Sequence, residues 1–481
     1  MDQERVMKEI TPRSRDYSQW YLDVVLKADM ADYGPVKGCM IIKPYGYAVW
    51  EAIQADMDRR IKETGHVNAY FPLLIPKSFL EKEKEHVEGF SPECAWVTVG
   101  GGEELEEPLA IRPTSEAMIC SMYAKWVQSW RDLPILINQW ANVVRWEKVT
   151  RPFLRTTEFL WQEGHTLHGT AEEAQEETLR MLGVYRSFSE ETLAMPVLWG
   201  QKSESEKFAG ALRTYAIEAL MGDGKALQAG TSHNLGQHFA EAYGIEYLDQ
   251  DQRRTKPWST SWGTSTRLIG GMIGTHGDDS GLILPPKVAP HQVVIVPIPP
   301  RKGSWSESIL PKAREVQATL RGAGIRVHLD DRDQFQPGYK YSDWEMRGVP
   351  VRLEIGPKDV EKDQCVLVRR DNRTKEFVPL AGVAGRLAEL LGLIQADLLE
   401  RARGFVAENT TRVETYDELK QVMREKRGFI VAGWNGDAAV EARIKEETKA
   451  TIRVMAIDEN REAACVVTGE KGREVTFAQA Y

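Results

Sequence analysis

The spacing of apolar residues divides the chain into helices and strands of ordinary length. Val49, Ile53, Met57 and Ile61 recur every four residues, which predicts a helix over 45–63. The other strands predicted before residue 288 lie over 38–43, 69–75, 226–231, 245–249 and 257–266. Helices are predicted over 114–130, over most of 171–222 and from Arg267 onward. Within the second helical stretch, Ser203 and Glu206 fit a capping box.

Two strand-like runs, 140–147 and 157–167, flank a loop rich in Arg and Pro, and this pattern predicts an antiparallel hairpin. Side chains two residues apart on a strand point to the same face, so Arg145 and Glu147 would share one face. The return strand would add Phe159, Trp161, Glu163 and His165. Because charged and aromatic side chains alternate without aliphatic residues, this face favours binding over packing in a core.

The second half of the chain begins where PPKVAPH, at 285–291, interrupts the pattern. Strands and helices then alternate: strands are predicted over 292–298, 325–329, 350–355 and 364–369, and helices over 306–322, 339–347 and 383–403. This alternation predicts a mostly parallel sheet, followed by a small α/β segment over 416–481. We therefore expect three domains: an α+β domain with an antiparallel sheet over 1–288, an α/β domain over 289–404, and a small α/β domain over 405–481.

Composition narrows the class of protein without deciding its partner. The chain has 481 residues, a formal net charge of −9 and five scattered cysteines, which favour a reducing cytoplasm over a disulfide framework. Its charged first residues predict no signal peptide, and its apolar runs are too short for a membrane span. Net negative charge argues weakly against nucleic acid, but 62 Lys and Arg residues leave material for a local basic patch.

Three further motifs are ambiguous when each is taken alone. Arg112-Pro113-Thr114-Ser115-Glu116 is either a helix N-cap or a place where Thr114 and Glu116 bind an ammonium group. The run QAGTSH, over 228–233, is either a turn or part of a site. In SWGTSTRLIGG, over 261–271, small residues precede Arg267 at a helix start, an arrangement that suits a polyphosphate. No P-loop motif occurs.

Taken in order, these motifs resemble prolyl-tRNA synthetase of the archaeal and eukaryotic-like type, a class II aminoacyl-tRNA synthetase. The resemblance rests on RPTSE, RWE, RTTEFLWQEGHT, QAGTSH and SWGTSTRLIGG, and it extends through PGYKYSDWEMRGVPVRLEIGPKD to the final FAQAY. It implies that the middle domain binds the anticodon, with Glu345, Arg347, Arg352 and Lys358 as candidates. It also implies a dimer interface around Pro72.

The resemblance implies a role for each candidate site residue. Proline would be bound by Thr114, Glu116, Arg145, Trp161, Glu163, His165, Phe208 and His233. ATP would be bound by Arg145, Glu147, Arg155, Gln228, Thr231, Ser265 and Arg267. Arg145 and Arg267 would be the catalytic residues. Mg²⁺ would accompany ATP, and the partners would be tRNA(Pro), L-proline, ATP and a second copy of the chain, with no membrane.

Two departures from the family pattern give expectations of their own. Residues 168–256 are predicted to be helices and linkers of the catalytic domain, so no editing insertion is expected there. In the last domain, Asn435, Val440 and Thr468 stand at cysteine positions of the family's zinc module and only Cys465 remains, so no structural zinc is expected. Two alternative functions are an adenylating paralogue and a catalytically inactive tRNA-binding regulator.

Overall fold

The computed structural model describes residues 10–86, 93–300, 309–457 and 461–481. The charged N-terminal residues 1–9 and the first part of the predicted helix 306–322 lie outside these ranges. In the described residues, no helix is both long and apolar enough to cross a membrane.

The first domain is built on a seven-stranded sheet that is antiparallel except at one edge. Its strands, in spatial order, are Val67–Asn68, Ile135–Val144, Glu158–His168, Trp258–Ser265, Ala226–Gly236, Arg213–Leu220 and Val197–Gln201. A separate sheet contains Leu74–Pro76, Glu103–Ile111 and Ala95–Gly100, and two-stranded pairs are formed by Ala31–Tyr33 with Met40–Ile42 and by Tyr247–Leu248 with Arg254–Thr255.

Helices cover the central sheet and complete the largest core. They are Tyr17–Lys27, Pro44–Glu63, Lys77–His86, Glu116–Trp126, Ala171–Glu191, His238–Tyr243 and Arg267–His276. The predicted period on the second helix is confirmed, because Val49, Ile53, Met57 and Ile61 are all buried. Burying an aliphatic side chain of this size contributes about 1.5–3 kcal/mol, so this face fixes how the helix packs.

Several predicted boundaries in the first domain are wrong. Residues 193–222 contain two strands of the sheet rather than helix, and Ser203 and Glu206 lie in a turn rather than in a capping box. The predicted strand 69–75 is a strand only at its end, Leu74–Pro76; residues 69–73 form no strand, and Val67–Asn68 belongs to a different sheet. Every residue over 214–220 is buried, so that strand lacks the alternation by which a half-exposed strand is predicted.

The second domain has a five-stranded sheet whose order is Val327–Leu329, Val293–Pro297, Val351–Ile355, Gln364–Arg369 and Lys375–Pro379. Its helices are Leu310–Gly322, Pro337–Met346, Pro357–Glu361 and Val383–Glu408. Two of its pairings are parallel and two are antiparallel, so the predicted mostly parallel sheet is wrong. The difference comes from the exposed edge strand 375–379, which the sequence analysis missed.

The last domain is a small mixed sheet flanked by helices. Its strands are Thr410–Arg412, Phe429–Trp434, Lys471–Gln479, Ala450–Val454 and Glu462–Ala464, and its helices are Tyr416–Glu425 and Ala438–Thr448. Phe429, Ile430, Ile444, Ile452 and Phe477 are fully buried in or beside its core. The predicted α/β character of this segment is therefore confirmed.

Candidate active site

Polar side chains from neighbouring strands of the central sheet form rows that line a cavity of about 260 Å³. Cross-strand pairing aligns His165 with Ser261, Ser261 with His233, and His233 with Thr214. A neighbouring row contains Glu163, Gly263 and Thr231. Because directly opposed residues in a sheet lie side by side, the pairing register itself assembles the floor of the cavity.

Twelve of the fourteen residues predicted for the site line this one cavity. They are Thr114, Glu116, Arg145, Trp161, Glu163, His165, Phe208, Gln228, Thr231, His233, Ser265 and Arg267. Glu147 and Arg155 instead line an adjoining concavity, which shares Arg145 with the first. The predicted hairpin is observed, but its first strand ends at Val144, so Arg145 and Glu147 lie in the loop and not on a shared strand face.

Two buried carboxylates, Glu116 and Glu163, line the cavity. Glu163 accepts hydrogen bonds from Ser115, from Gln139 Nε2 at 2.8 Å and from His165 Nε2 at 2.9 Å. Glu116, which begins a helix, accepts a hydrogen bond from the Thr114 hydroxyl. Thr114 is therefore not the N-cap residue considered from the sequence; Ser115 occupies that position.

The surroundings shift the pKa values of the Glu163 and His165 pair in opposite directions. Burial alone would raise the pKa of Glu163, but the hydrogen bond and charge of His165, with the Ser115 and Gln139 donors, bring it below its usual value. Burial alone would lower the pKa of His165, but Glu163 and the charge of Glu116 raise it. The pair is therefore stabilised as a carboxylate and an imidazolium.

His233 differs from His165 although both line the same wall. Burial, followed by the positive charges of His165 and Arg145, lowers the pKa of His233 to about 3. Its Nδ1 lies 3.0 Å from Thr214 Oγ1, and its ring centroid lies 4.8 Å from that of Phe208. A neutral imidazole against an aromatic ring gives this wall an apolar character.

Two arginines also line the cavity. Arg145 donates to the Pro113 carbonyl at 3.0 Å, and its guanidinium lies over the rings of Phe159 and Trp161, 5.5 and 5.3 Å from their centroids. Arg267 donates to the carbonyls of Leu154 at 3.0 Å and of Gln228 at 3.3 Å. Both guanidiniums are thereby held in place before any ligand arrives.

Neighbouring cations oppose the positive charge of Arg267. Burial, then the charges of Arg145 and Arg155, lowers the pKa of Arg267 to about 10. Arg155 pairs with Glu147 at 2.8 Å in the adjoining concavity. An anion placed between these side chains would relieve their repulsion, and arginine suits phosphate and carboxylate groups.

Sequence reasoning missed several residues of the site. Glu206, Lys207 and Thr214 line the cavity but lie in the stretch predicted to be helical. Ser115 and Gln139 donate hydrogen bonds to the Glu163 carboxylate. The signal for Gln139 was a polar residue in an apolar run, since buried amides usually serve a hydrogen bond.

Family models cover most of the chain. The tRNA synthetase class II core domain (G, H, P, S and T) matches residues 96–276, an anticodon binding domain matches 292–390, and the prolyl-tRNA synthetase C-terminal domain matches 416–481. Together with the antiparallel sheet and the two arginines of the cavity, these matches define a class II aminoacyl-tRNA synthetase. The predicted fold class and domain order are confirmed.

Full-length relatives specify the family. The chain is 59% identical over 481 residues to a proline--tRNA ligase of Natranaerobius thermophilus, with 99% of each chain covered, and 59% identical over 475 residues to one of Rubrobacter xylanophilus, again with 99% of each covered. The crystal structure of prolyl-tRNA synthetase from Cryptosporidium parvum complexed with halofuginone and AMPPNP is 42% identical, has a TM-score of 0.95, and covers 99% of this chain and 100% of that chain. The chain belongs to the proline–tRNA ligase family.

Proposed function

We propose that the chain ligates L-proline to tRNA(Pro) with ATP, through a prolyl-adenylate intermediate. The observation that carries this proposal is that one cavity is lined both by carboxylates, Glu116 and Glu163, and by guanidiniums, Arg145 and Arg267. Proline has an ammonium group that suits the carboxylates and a carboxylate that suits the guanidiniums, beside the phosphates of ATP. An adenylating paralogue or an inactive regulator has no observation in its favour.

Each site residue predicted from the sequence takes a role in this scheme. Glu116 and Thr114 receive the secondary ammonium, while Trp161, Glu163, His165, Phe208 and His233 surround the proline ring. Arg145 holds the substrate carboxylate against the α-phosphate. Glu147, Arg155, Gln228, Thr231, Ser265 and Arg267 hold the nucleotide.

The first step needs position and charge more than it needs a protein nucleophile. An oxygen of the proline carboxylate bonds to the α-phosphorus of ATP, and the bond to the bridging oxygen breaks to release pyrophosphate. Arg145 and Arg267 offset the negative charge that gathers between the two anions, and their carbonyl contacts keep them preorganised. In the second step, a ribose hydroxyl of the tRNA 3′ end attacks the adenylate carbonyl and releases AMP.

Mg²⁺ is the cation proposed to accompany ATP. In the described part of the chain, the one cluster of potential metal ligands within the cavity is Glu116, Glu163 and His165, which we assign to proline. The adjoining concavity offers Glu147, already paired with Arg155. We therefore assign Mg²⁺ chiefly to phosphate oxygens, where it supplies charge neutralisation.

The middle domain is proposed to bind the anticodon of tRNA(Pro). Among its candidates, Arg352 pairs with Glu345 at 3.1 Å and with Glu354 at 2.9 Å, and Arg347 pairs with Asp29 of the first domain. Lys358 is exposed. Lys358 is thus the candidate best placed to meet a phosphate, while the arginines are engaged in ion pairs.

The remaining assignments concern boundaries and environment. We place domain boundaries at 288/289 and 404/405, and residues 168–256 supply two helices and five complete strands of the first domain rather than an editing insertion. The five cysteines form no disulfide in the described structure, which supports a reducing cytoplasm. We also propose that the chain forms a homodimer and that its last domain binds no zinc.

One assay tests the proposed reaction. Purified protein is incubated with ATP, Mg²⁺, labelled pyrophosphate and each of the twenty amino acids in turn, without tRNA. Proline should support the fastest exchange, because the residues assigned to proline and ATP all line the two joined concavities of the first domain. Faster exchange with another amino acid at equal concentration would reject proline as the substrate.

A further inference from the structure

The segment 202–208 forms one wall of the cavity, although it belongs to neither a helix nor a strand. It connects the strands Val197–Gln201 and Arg213–Leu220 and brings Glu206, Lys207 and Phe208 to the cavity. A connection without its own ladder of hydrogen bonds takes its position from the groups around it. The neighbours of this segment therefore affect the shape of the site.

The last domain contacts this segment at two points through one helix. Ser203 Oγ donates to Glu441 Oε1 at 2.7 Å, with both residues buried, and Lys445 Nζ donates to Glu206 Oε1 at 3.0 Å. Glu441 and Lys445 are four residues apart on the helix Ala438–Thr448, so they lie on the same face. One of their two partners, Glu206, itself lines the cavity.

A buried ion cluster anchors the start of the same segment. Lys202 Nζ lies 2.6 Å from Glu218 Oε1, and Arg453 Nη2 of the last domain lies 3.0 Å from the same oxygen. All three side chains are buried, so the two cations share one carboxylate out of contact with water. Separating the two domains would take the buried Arg453 away from its carboxylate partner, so this contact opposes their separation.

The main chains of the two domains also meet here. Gln201 and Met455 exchange backbone hydrogen bonds of 2.9 and 2.8 Å. A Cβ atom on Gly200 would lie 2.3 Å from the Met455 carbonyl oxygen, so a side chain at that position would force the domains apart. The last domain is thus seated closely against the sheet edge from which segment 202–208 leaves.

We propose that Glu441 is a positioning residue for proline activation. Acting through Ser203, and assisted by Lys445 on Glu206, it holds segment 202–208 so that Phe208 closes the part of the cavity assigned to proline. The inference rests on the proposed function, since it uses the assignment of Phe208 to proline. Gln228 and Arg267, which are assigned to ATP, lie on other elements. Loss of the Glu441 contact therefore weakens proline binding more than ATP binding.

Pyrophosphate exchange with the full chain tests this inference, using the KM for proline and the KM for ATP as separate readouts. Glu441→Ala should raise the KM for proline by about fivefold or more, as when a hydrogen bond to a charged group is lost, and leave the KM for ATP within about twofold. Ser203→Ala should do the same. Glu441→Gln keeps an acceptor oxygen and should restore most of the proline affinity. Glu446→Ala, an exposed position on the same helix, is the matched control and should change neither KM.

The double variant Ser203→Ala with Glu441→Ala separates positioning from general damage. If the contact carries the effect, the double variant should resemble the more affected single variant. Additive effects, an unchanged KM for proline, or equal increases in both KM values with a lowered Tm would overturn the inference. Lys445→Ala breaks the partly exposed pair with Glu206 and should raise the KM for proline by a smaller factor. This variant keeps the inference testable if Glu441→Ala does not fold, because an unchanged KM for proline would again overturn it. Failure of wild-type protein to exchange with proline would instead reject the proposed function.

Discussion

At the scale of single residues, the two carboxylates of the cavity differ in how completely they are bound. Glu163 is held by three side-chain donors, from Ser115, Gln139 and His165. In the part of the chain that the structure describes, the hydrogen bond recorded for the Glu116 side chain comes from Thr114. Glu116 thus keeps acceptor capacity for a ligand, while Glu163 serves mainly to orient the wall.

Replacing Glu116 should therefore weaken proline selectively. Glu116→Ala is expected to raise the KM for proline in pyrophosphate exchange while the KM for ATP stays close to that of wild type, because we assign its charge to the ammonium group of proline. Glu116→Gln, which keeps the shape and loses the charge, should show most of the same defect. An equal loss for both substrates would indicate that Glu116 only starts its helix.

The two arginines should matter for the chemical step itself. Arg145→Ala and Arg267→Ala should each lower adenylate formation by at least about a hundredfold, roughly 3 kcal/mol, the magnitude typical of losing one preorganised charge donor. Single-turnover formation of prolyl adenylate measures this directly. Arg253→Ala, at an exposed position, serves as the control. Near-normal adenylate formation in either test variant would remove that arginine from the site.

The pair of His165 and Glu163 predicts a dependence of stability on pH. The folded pKa of His165 lies above its usual value, so its stabilising contribution is present below about pH 6.5 and is lost as the pH rises through that folded pKa. The Tm difference between wild type and His165→Gln should therefore be larger near pH 6 than near pH 9. Glu116 and Glu163 face this ring and favour its charged form.

His168 provides a control of opposite sign for that experiment. Burial lowers its pKa to about 4, so the unfolded chain binds a proton near pH 6 that the folded chain does not. His168 thus costs stability at the lower pH, and the Tm difference for His168→Gln should shift in the other direction. Equal differences at both pH values for His165→Gln would contradict the assigned ion pair.

Residue types in the motifs predicted most of the cavity because their chemistry is unusual for a core. Trp161, Glu163 and His165 alternate on a strand, and that pattern alone indicated a shared face. Glu206 and Lys207 gave no such signal, because charged residues in a connection are ordinarily solvated. Their place at the cavity depends on contacts more than two hundred residues away in the chain, which local patterns do not contain.

At the scale of elements, burial explains which strands could be predicted. In the strand Arg213–Leu220, every residue after Arg213 is buried, so it lacks the alternation of a half-exposed strand. Its Ala, Glu and Leu residues also favour helix. The hairpin strand Glu158–His168 was predicted because Phe159, Trp161 and Thr166 favour strands and its loop is marked by Pro and Arg.

The turn that begins at Cys465 leads to the prediction that the last domain binds no structural zinc. At the four family metal positions, Asn435 Nδ2 donates to Glu470 Oε2 at 2.8 Å and Thr468 Oγ1 donates to the same oxygen at 3.2 Å. Val440 packs in the core and Cys465 is buried. Structural zinc requires four ligands, usually thiolate or imidazole, and this set offers one.

Elemental analysis of protein purified without chelator should therefore find well below one zinc per chain. Activity and Tm should be unchanged after treatment with a chelator and return to Mg²⁺ buffer, because hydrogen bonds and the core around Phe429 and Phe477 hold the turn. Cys465→Ser is the matched variant and should leave metal content unchanged. Stoichiometric zinc that disappears in this variant would show that Cys465 is a ligand after all.

At the scale of the whole molecule, charged groups and backbone hydrogen bonds are among the contacts that join the three domains. Arg370 of the middle domain binds Asp278 of the first domain through both carboxylate oxygens, at 2.9 and 2.6 Å. The last residue, Tyr481, donates its backbone N–H to the Ala226 carbonyl at 2.9 Å, and its ring lies 5.2 Å from the Arg151 guanidinium. The hairpin loop, the central sheet and the C-terminus are therefore mechanically connected.

The segment around Pro72 predicts the oligomeric state. Val67, Tyr70 and Leu74 are 61%, 71% and 39% exposed, and Tyr47 on the adjacent helix Pro44–Glu63 is 42% exposed. Exposed apolar side chains of this size can contribute to an interaction surface, and a stable interface covers about 800 Å² on each partner. The family resemblance implies a dimer interface around Pro72, so a second copy of the chain is the expected occupant.

Light scattering should therefore give about twice the 54.4 kDa mass of one chain. Tyr70→Glu combined with Val67→Glu should shift the protein toward the monomer and lower exchange activity, because Phe71 beside them donates its N–H to Gln139, which holds Glu163 in the cavity. Phe377→Glu, at an exposed aromatic on the edge strand of the middle domain, is the control and should remain dimeric. A stable wild-type monomer with full activity would reject the dimer. It would also show that the contacts from Phe71 through Gln139 to Glu163 hold without a second copy of the chain.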